Sequence, residues 1–273
     1  MLPQRLIDQI RSSSLRDLLD EIHAAARPAV GLSPIRATEP VPIGASKVGG
    51  DPDLPINVPW PRGQIGAFDD LDRPDDQTED TPCDVEFLAQ IRLNDLEGLP
   101  LPRGLAPTGL LSVFYSTDRM PWRSGWRMVW SPASAQLKRR AVPPGRTRIR
   151  EHALRSSILV TLPESLDIPE SDIPDSARQE PAEGISYWEV RREVRRGRDG
   201  EIATLQLGGF GLWAQDDPTE CPSGDERQEL LLQVDSSRAL NWMWCDDGAL
   251  HWFGPEGLLA QRRFDDLGFE LQC

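Results

Sequence analysis

Over residues 3–27 the apolar positions Leu15, Leu18, Leu19, Ile22 and Ala26 fall on one face at helical spacing, and Pro3 suits a first helical turn. The run Ser12-Ser13-Ser14 predicts a break in this stretch, with Ser14 capping the second piece and Asp17 three residues on. From Pro28 the pattern changes. Pro28, Pro34, Pro40 and Pro42 exclude a long helix, and extended chain is expected. Val85–Leu93 is mostly apolar and Leu110–Tyr115 begins after a glycine, so both predict strands. Met128–Trp130, Ser157–Leu162, 229–236 and 249–253 predict further strands. Ser186-Tyr187-Trp188-Glu189 reads as a capping box that opens a helix stopping at Gly197.

Two acid-rich segments interrupt this pattern. Asp69–Asp80 and Glu164–Glu183 each hold seven acids and one arginine, the second with Pro169, Pro174 and Pro181. Both predict solvated loops. The second divides the chain into an N-terminal helical segment (1–30), a first sheet-rich repeat (31–163), an acidic linker (164–185) and a second repeat with a leading helix (186–273).

Self-similarity supports that division. Gly49-Gly50, Glu86-Phe87-Leu88-Ala89-Gln90-Ile91 and Gly109-Leu110-Leu111 are followed in the same order by Gly208-Gly209, Glu229-Leu230-Leu231-Leu232-Gln233-Val234 and Gly248-Ala249-Leu250. The offsets are 159, 143 and 139 residues. An ordered trio predicts a duplication. The expected fold is α+β and sheet-rich, with two pseudo-symmetric β repeats, an N-terminal helix and a mid-chain helix, sharing burial as one cooperative domain.

The same residues resemble the YwqG-like family, a bacterial domain of unknown function. One signature is similar to Ser46-Lys47-Val48-Gly49-Gly50 through Pro55 and Trp60-Pro61, and another to Phe87–Ile91 ahead of Gly109-Leu110-Leu111. A third resembles Gly209 through Gln215-Asp216-Asp217-Pro218. The last resembles Leu230–Ser236, including Asp235, followed by Trp244-Cys245-Asp246-Asp247-Gly248. Cys245 stands where the family pattern favours glycine. The resemblance implies a sheet-rich α+β fold and brings no catalytic residues with it.

Composition narrows the function classes. With 44 acids against 30 bases the net charge is −14, which disfavours a nucleic-acid binder and favours a basic protein partner. No apolar stretch is long enough to span a bilayer, so no membrane role is expected, and the first residues do not read as a secretion signal. Cys83, Cys221, Cys245 and Cys273 show no metal-ligand spacing, and reduced thiols and a cytoplasmic location are expected.

Candidate chemistry is sparse. Gly209–Ala214 matches G-x-G-x-x-A, but Gln215-Asp216-Asp217-Pro218 follows where a phosphate-binding helix should begin, so a glycine-bearing loop is the expectation. Asp69–Asp80 lacks the mid-loop glycine of a calcium loop. His23, His152 and His251 are too scattered for a metal site or triad. No cofactor or metal is expected. Lys138–Arg155 carries seven bases and one acid, and Arg191–Arg198 five arginines and one acid, which reads either as solvated faces compensating nearby acids or as a basic groove. Nine tryptophans exceed what a core fills cheaply, so a minority should mark a recognition surface. Gln90 and Gln233 sit inside apolar runs at matching repeat positions, and each should tie its strand to a loop.

These features favour a non-enzymatic protein-binding module, with an immunity or antitoxin role as the concrete version. Asp69, Asp70, Asp72, Asp75 and Asp76 would meet a basic partner, and Gly49, Gly50, Trp60, Gln90, Gly209, Gln233, Asp235 and Gly248 would hold the fold. The alternatives are an enzyme, hydrolytic in type, with its site between the repeats, and a small-ligand or carbohydrate binder using surface tryptophan.

Overall fold

The structure, a computed structural model, describes residues 2–65, 83–116, 125–166, 184–196, 200, 202–215, 217–219 and 228–273. It is a sheet-rich α+β fold. Helices α1 (Gln4–Arg11) and α2 (Leu19–Ala25) are separated by a 3₁₀ turn at Arg16–Leu18. The serine run ends the first helix and does not begin the second: Leu18 is the residue that precedes α2. The buried Ser13 hydroxyl donates to the Ile10 carbonyl and accepts from the Leu15 N–H, which closes α1 and tightens the chain before α2 can start. Leu6, Ile10, Leu18 and Ile22 then pack against Leu162, Val190 and Val194.

The strands are β1 (Arg27–Ile35), β2 (Lys47–Val48), β3 (Asp53–Pro55), β4 (Arg62–Ile65), β5 (Cys83–Asp84), β6 (Glu86–Arg92), β7 (Leu110–Tyr115), β8 (Gly125–Ser131), β9 (Leu137–Arg139), β10 (His152–Thr161), β11 (Leu205–Leu207), β12 (Gln228–Asp235), β13 (Ala249–Pro255) and β14 (Gly268–Gln272). Helix α3 (Tyr187–Val194) precedes β11, and α4 (Glu256–Gln261) follows β13. The main sheet is ordered β14-β13-β12-β11-β1-β10-β2-β6-β7-β8-β4-β5, and β3 pairs apart with β9. All its pairings are antiparallel.

Strand β1 contains Pro28 and Pro34 and still lies inside the sheet. Its pairing with β11 covers only Val30–Leu32, so both prolines fall where the β11 side of the strand is unpaired. The sheet curls until its distant strands meet. Trp126 of β8 packs edge-on against Trp252 of β13 at 6.1 Å between ring centroids, and Tyr115 of β7 lies 5.7 Å from Phe269 of β14. Burying each such ring contributes roughly 1.5–3 kcal/mol. An Arg127–Asp265 ion pair at 3.0 Å joins the same two regions.

Helix α3 opens on the expected capping box: Ser186 Oγ accepts from the Glu189 N–H, and the Glu189 carboxylate accepts from the Ser186 N–H. The helix ends at Val194, and Gly197 lies outside the described residues.

Candidate functional site

Two buried amides organise the molecule. Gln90 Oε1 accepts from the Asp53 N–H at 2.9 Å, and its Nε2 donates to the Ala45 carbonyl and to Asp53 Oδ2. Gln233 Oε1 accepts from the Leu212 N–H at 2.9 Å, and its Nε2 donates to Asp235. Both glutamines are fully buried. In each case the donating N–H lies just past a glycine pair in left-handed conformation, Gly49-Gly50 and Gly208-Gly209. A Cβ on Gly49 would stand 2.5 Å from the Arg150 carbonyl oxygen, and one on Gly209 2.5 Å from Thr161 Oγ1. Glycine is therefore required there for both backbone angle and clearance.

In the first half the amide joins a charged network. Lys47 is fully buried, and its Nζ donates to the Asp51 carbonyl and to Glu151 Oε2 at 2.8 Å, 4.0 Å from Asp53 Oδ2. Arg139 donates to both Asp53 oxygens and to the Val41 carbonyl. Burial works against the Asp53 carboxylate, but Arg139, the Gly44 N–H, Gln90 and Lys47 together hold it below the usual carboxylate range. The basic run is largely spent in this way. Arg148 bonds Asp51, Arg146 pairs with Asp84, and Arg140 donates to the carbonyls of Ile56 and Val58. These bases tie the loops of the first half together.

The second half leaves an opening. Arg195, at the end of α3, is nearly buried. Its guanidinium donates to Gln206 Oε1 at 2.9 Å and to Asp235 Oδ2 at 2.8 Å. Asp235 is thus fixed between Gln233 and Arg195 at the floor of a groove of about 520 Å³. One wall is α3, which presents Trp188 and Arg192 one turn apart. The other is the turn carrying Asp246, Asp247 and Gly248, together with Cys273. Trp188 is 47% exposed, the one tryptophan so open among the described residues. The exposed Arg192 guanidinium lies over its ring at 5.6 Å. Asp246 and Asp247 are both exposed and make no ion pair among the described residues.

Behind the floor, Trp213 stacks on His251 at 4.1 Å. Burial, reinforced by the Arg195 charge, pushes the imidazole down to about 3, against the opposing pull of backbone groups of Leu212, Glu270 and Ala249. His251 is therefore neutral near pH 7 and closed to solvent, packed in the core beneath the groove.

The acidic wall hangs on a constrained turn. Asn241, Cys245 and Asp247 all have positive φ. Ser236 Oγ accepts from the Trp244 N–H and donates to the Gly248 carbonyl, while the Gly248 N–H closes onto the Trp244 carbonyl at 2.8 Å. A Cβ on Gly248 would fall 2.1 Å from the Gln272 carbonyl oxygen, which excludes any side chain. Cys245, at φ 49°, occupies a position that glycine adopts more easily.

The family described as a domain of unknown function (DUF1963) matches residues 46–273. The chain belongs to this family. The DUF1963 segment contains both glycine pairs, both buried glutamines and the whole groove, while α1, α2 and β1 precede it. The resemblance to YwqG-like proteins is consistent with that membership. No curated protein matches the chain.

Within the DUF1963 segment the remaining residues singled out in the sequence have plain positions. Trp60 donates its indole N–H to the Val85 carbonyl at 3.0 Å and meets Phe114 edge-on. Among the described residues no helix directly follows the G-x-G-x-x-A stretch, and its Leu212 N–H is already bound to Gln233. Asp69, Asp70, Asp72, Asp75 and Asp76 lie outside the described residues, as do Cys221 and Trp122. Among the described residues no cluster of three or more metal-binding side chains occurs, and no helix is long and apolar enough to cross a membrane.

A second cavity of about 570 Å³ opens between the two halves and includes Tyr115, Arg148, Arg150, Trp242 and Met243 in its lining. Among the described residues no carboxylate or imidazole lines it. Sequence reasoning missed Arg195 as the clamp of Asp235. It also missed the face Trp188, Arg192, Arg195, whose i, i+4, i+7 spacing behind a capping box was the available signal.

Proposed function

We propose that the protein is a non-catalytic binding module and that the groove between α3 and the Asn241–Gly248 turn receives a basic side chain of a protein partner. The observation that carries this reading is the pair of exposed carboxylates, Asp246 and Asp247, which make no ion pair among the described residues and line the same groove as a half-exposed indole. That combination offers a lysine or arginine both ion pairing and a cation–π surface. Arg192 already lies over the Trp188 ring, so the indole face accommodates a guanidinium, and an exposed arginine at that distance is readily displaced. The net charge of −14 steers a basic partner toward the molecule, and the Asp69–Asp76 cluster would add to that field. An immunity-type role, capping a basic toxin, is the biological form this proposal takes.

The test is binding of a fluorescein-labelled octa-arginine peptide, followed by anisotropy at low and high salt. Asp246→Asn/Asp247→Asn should weaken binding about 5- to 30-fold, the equivalent of roughly 1–2 kcal/mol for two partly exposed pairs. Binding unaffected by both salt and this double substitution would sink the reading. A second reading, a carbohydrate ligand, is favoured by the flat Trp188 face set in a polar groove. It predicts quenching of tryptophan fluorescence by an oligosaccharide such as maltotriose, lost in Trp188→Ala.

The two halves are also proposed to descend from a duplication. In support, the offset of 159 residues relates the glycine pairs and also the N–H donors Asp53 and Leu212. The β6–β7 and β12–β13 ladders both break register two residues before the glutamine, at Phe87/Ala89 and Leu230/Leu232.

A further inference from the structure

We propose that Cys245 and Cys273 form a reversible intramolecular disulfide that fastens the Asn241–Gly248 turn to the end of β14 and so fixes the acidic wall of the groove. The effect on the groove rests on the binding function proposed above, whereas the disulfide itself does not.

The two residues are far apart in sequence but adjacent in the fold. Ala249 pairs with Gln272 in the β13–β14 ladder, which sets Cys273 opposite Gly248. The approach is close enough that a Cβ on Gly248 would lie 2.6 Å from the Cys273 Cβ. The turn closed by the Gly248–Trp244 hydrogen bond carries Cys245 back over the same spot, close enough that the Cys273 thiol perturbs the ionisation of Cys245. Both cysteines are exposed, so a small oxidant reaches them. Cys83 is buried on β5 and is not a competitor for either. Cys245 also holds a backbone conformation that favours glycine, and the bond would give that side chain a structural use.

The chemistry needs a low-molecular-mass disulfide as oxidant. One protein thiolate attacks the oxidant's S–S bond, forming a mixed disulfide and releasing one thiol. The second protein thiolate then attacks the protein sulfur of that mixed disulfide and releases the other. Two protein thiols lose two electrons and two protons in total, and one oxidant disulfide becomes two thiols. The product links the 241–248 turn to β14. Asp246 and Asp247, which stand between the two anchor points, are then held at a fixed distance from α3.

The experiment treats the full chain with oxidised glutathione, quenches with acid and maps non-reduced tryptic peptides by mass. The expected result is one species joining peptides 239–262 and 264–273, two hydrogens lighter than their sum. Cys245→Ser should leave Cys273 carrying only glutathione. Glutathione on both cysteines without a cross-link, or linkage of either to Cys83 or Cys221, overturns the proposal. Octa-arginine affinity is then compared between oxidised and reduced protein. A change of at least about threefold supports coupling to the groove, and equal affinities overturn that coupling. A cross-link that forms while the peptide binds neither state overturns the binding function alone.

Discussion

His251 makes the fold sensitive to mild acid, above the range in which the lowered carboxyls of Asp51, Asp53 and Glu151 titrate. In the unfolded chain its imidazole titrates near 6.5, and in the folded protein burial pushes it down to about 3. Between those values the unfolded state binds one more proton than the native state, so stability falls as pH falls. Each unit below 6.5 costs about 1.4 kcal/mol until the folded value is reached. Moving from pH 7 to pH 5 should therefore remove about 2 kcal/mol through this single ring. Asp51, Asp53 and Glu151 have lowered carboxyl values, and their stabilisation is lost only as pH falls through those values, below the ordinary 3.8–4.5. Asp265, whose carboxyl burial raises, acts in the opposite sense. Comparison with His251→Phe cancels these contributions, because the variant keeps the ring stacked on Trp213 and removes only the titration. The assay is urea unfolding at pH 7, 6 and 5 by tryptophan fluorescence, with the slope on urea checked for constancy. The wild-type protein should lose about 2 kcal/mol more than the variant over that range. Equal losses in the two proteins would refute the reasoning, as would an imidazole NMR signal of His251 titrating near 6.5.

Two other outcomes test the frame around the groove. Lys47→Met leaves the fully buried Asp53 without one of its cationic neighbours and should cost about 3–5 kcal/mol in chemical denaturation; a loss under about 1 kcal/mol would mean that Arg139 alone satisfies the site. Cys245→Gly relieves a left-handed backbone and should raise Tm by about 2–4 °C, equivalent to roughly 1 kcal/mol, in a calorimetric scan under reducing conditions.

The sequence patterns that could be read were those whose meaning is local. A capping box is completed within four residues, so Ser186–Glu189 was legible. An apolar run bounded by a glycine marks β7 without reference to its neighbours. Gln90 and Gln233 stood out because an amide inside an apolar run must find partners. What could not be read depends on register. Lys47 was legible only as part of a signature around Gly49-Gly50, and nothing local says that β2 sits between β10 and β6 with its ammonium fully enclosed. Arg195 clamps Asp235 only because Gln206 pairs with Gln233 across β11 and β12. The groove itself needs α3 and a turn about 50 residues later to face each other, a tertiary fact that no periodicity encodes.

The placement of β1 has a consequence for how the chain is made. This strand leaves the ribosome ahead of the DUF1963 segment, yet it ends up between β10 and β11. Its ladder with β10 runs from Arg27 opposite Thr161 to Ile35 opposite Ala153, and its ladder with β11 sets Val30 opposite Leu207. During synthesis the strand must therefore wait with both edges unpaired until residues more than a hundred positions downstream emerge, and such distant pairings form slowly. For that interval a strand edge is open to any neighbouring chain. The two prolines of β1, each lacking an N–H to offer, interrupt that edge during the wait.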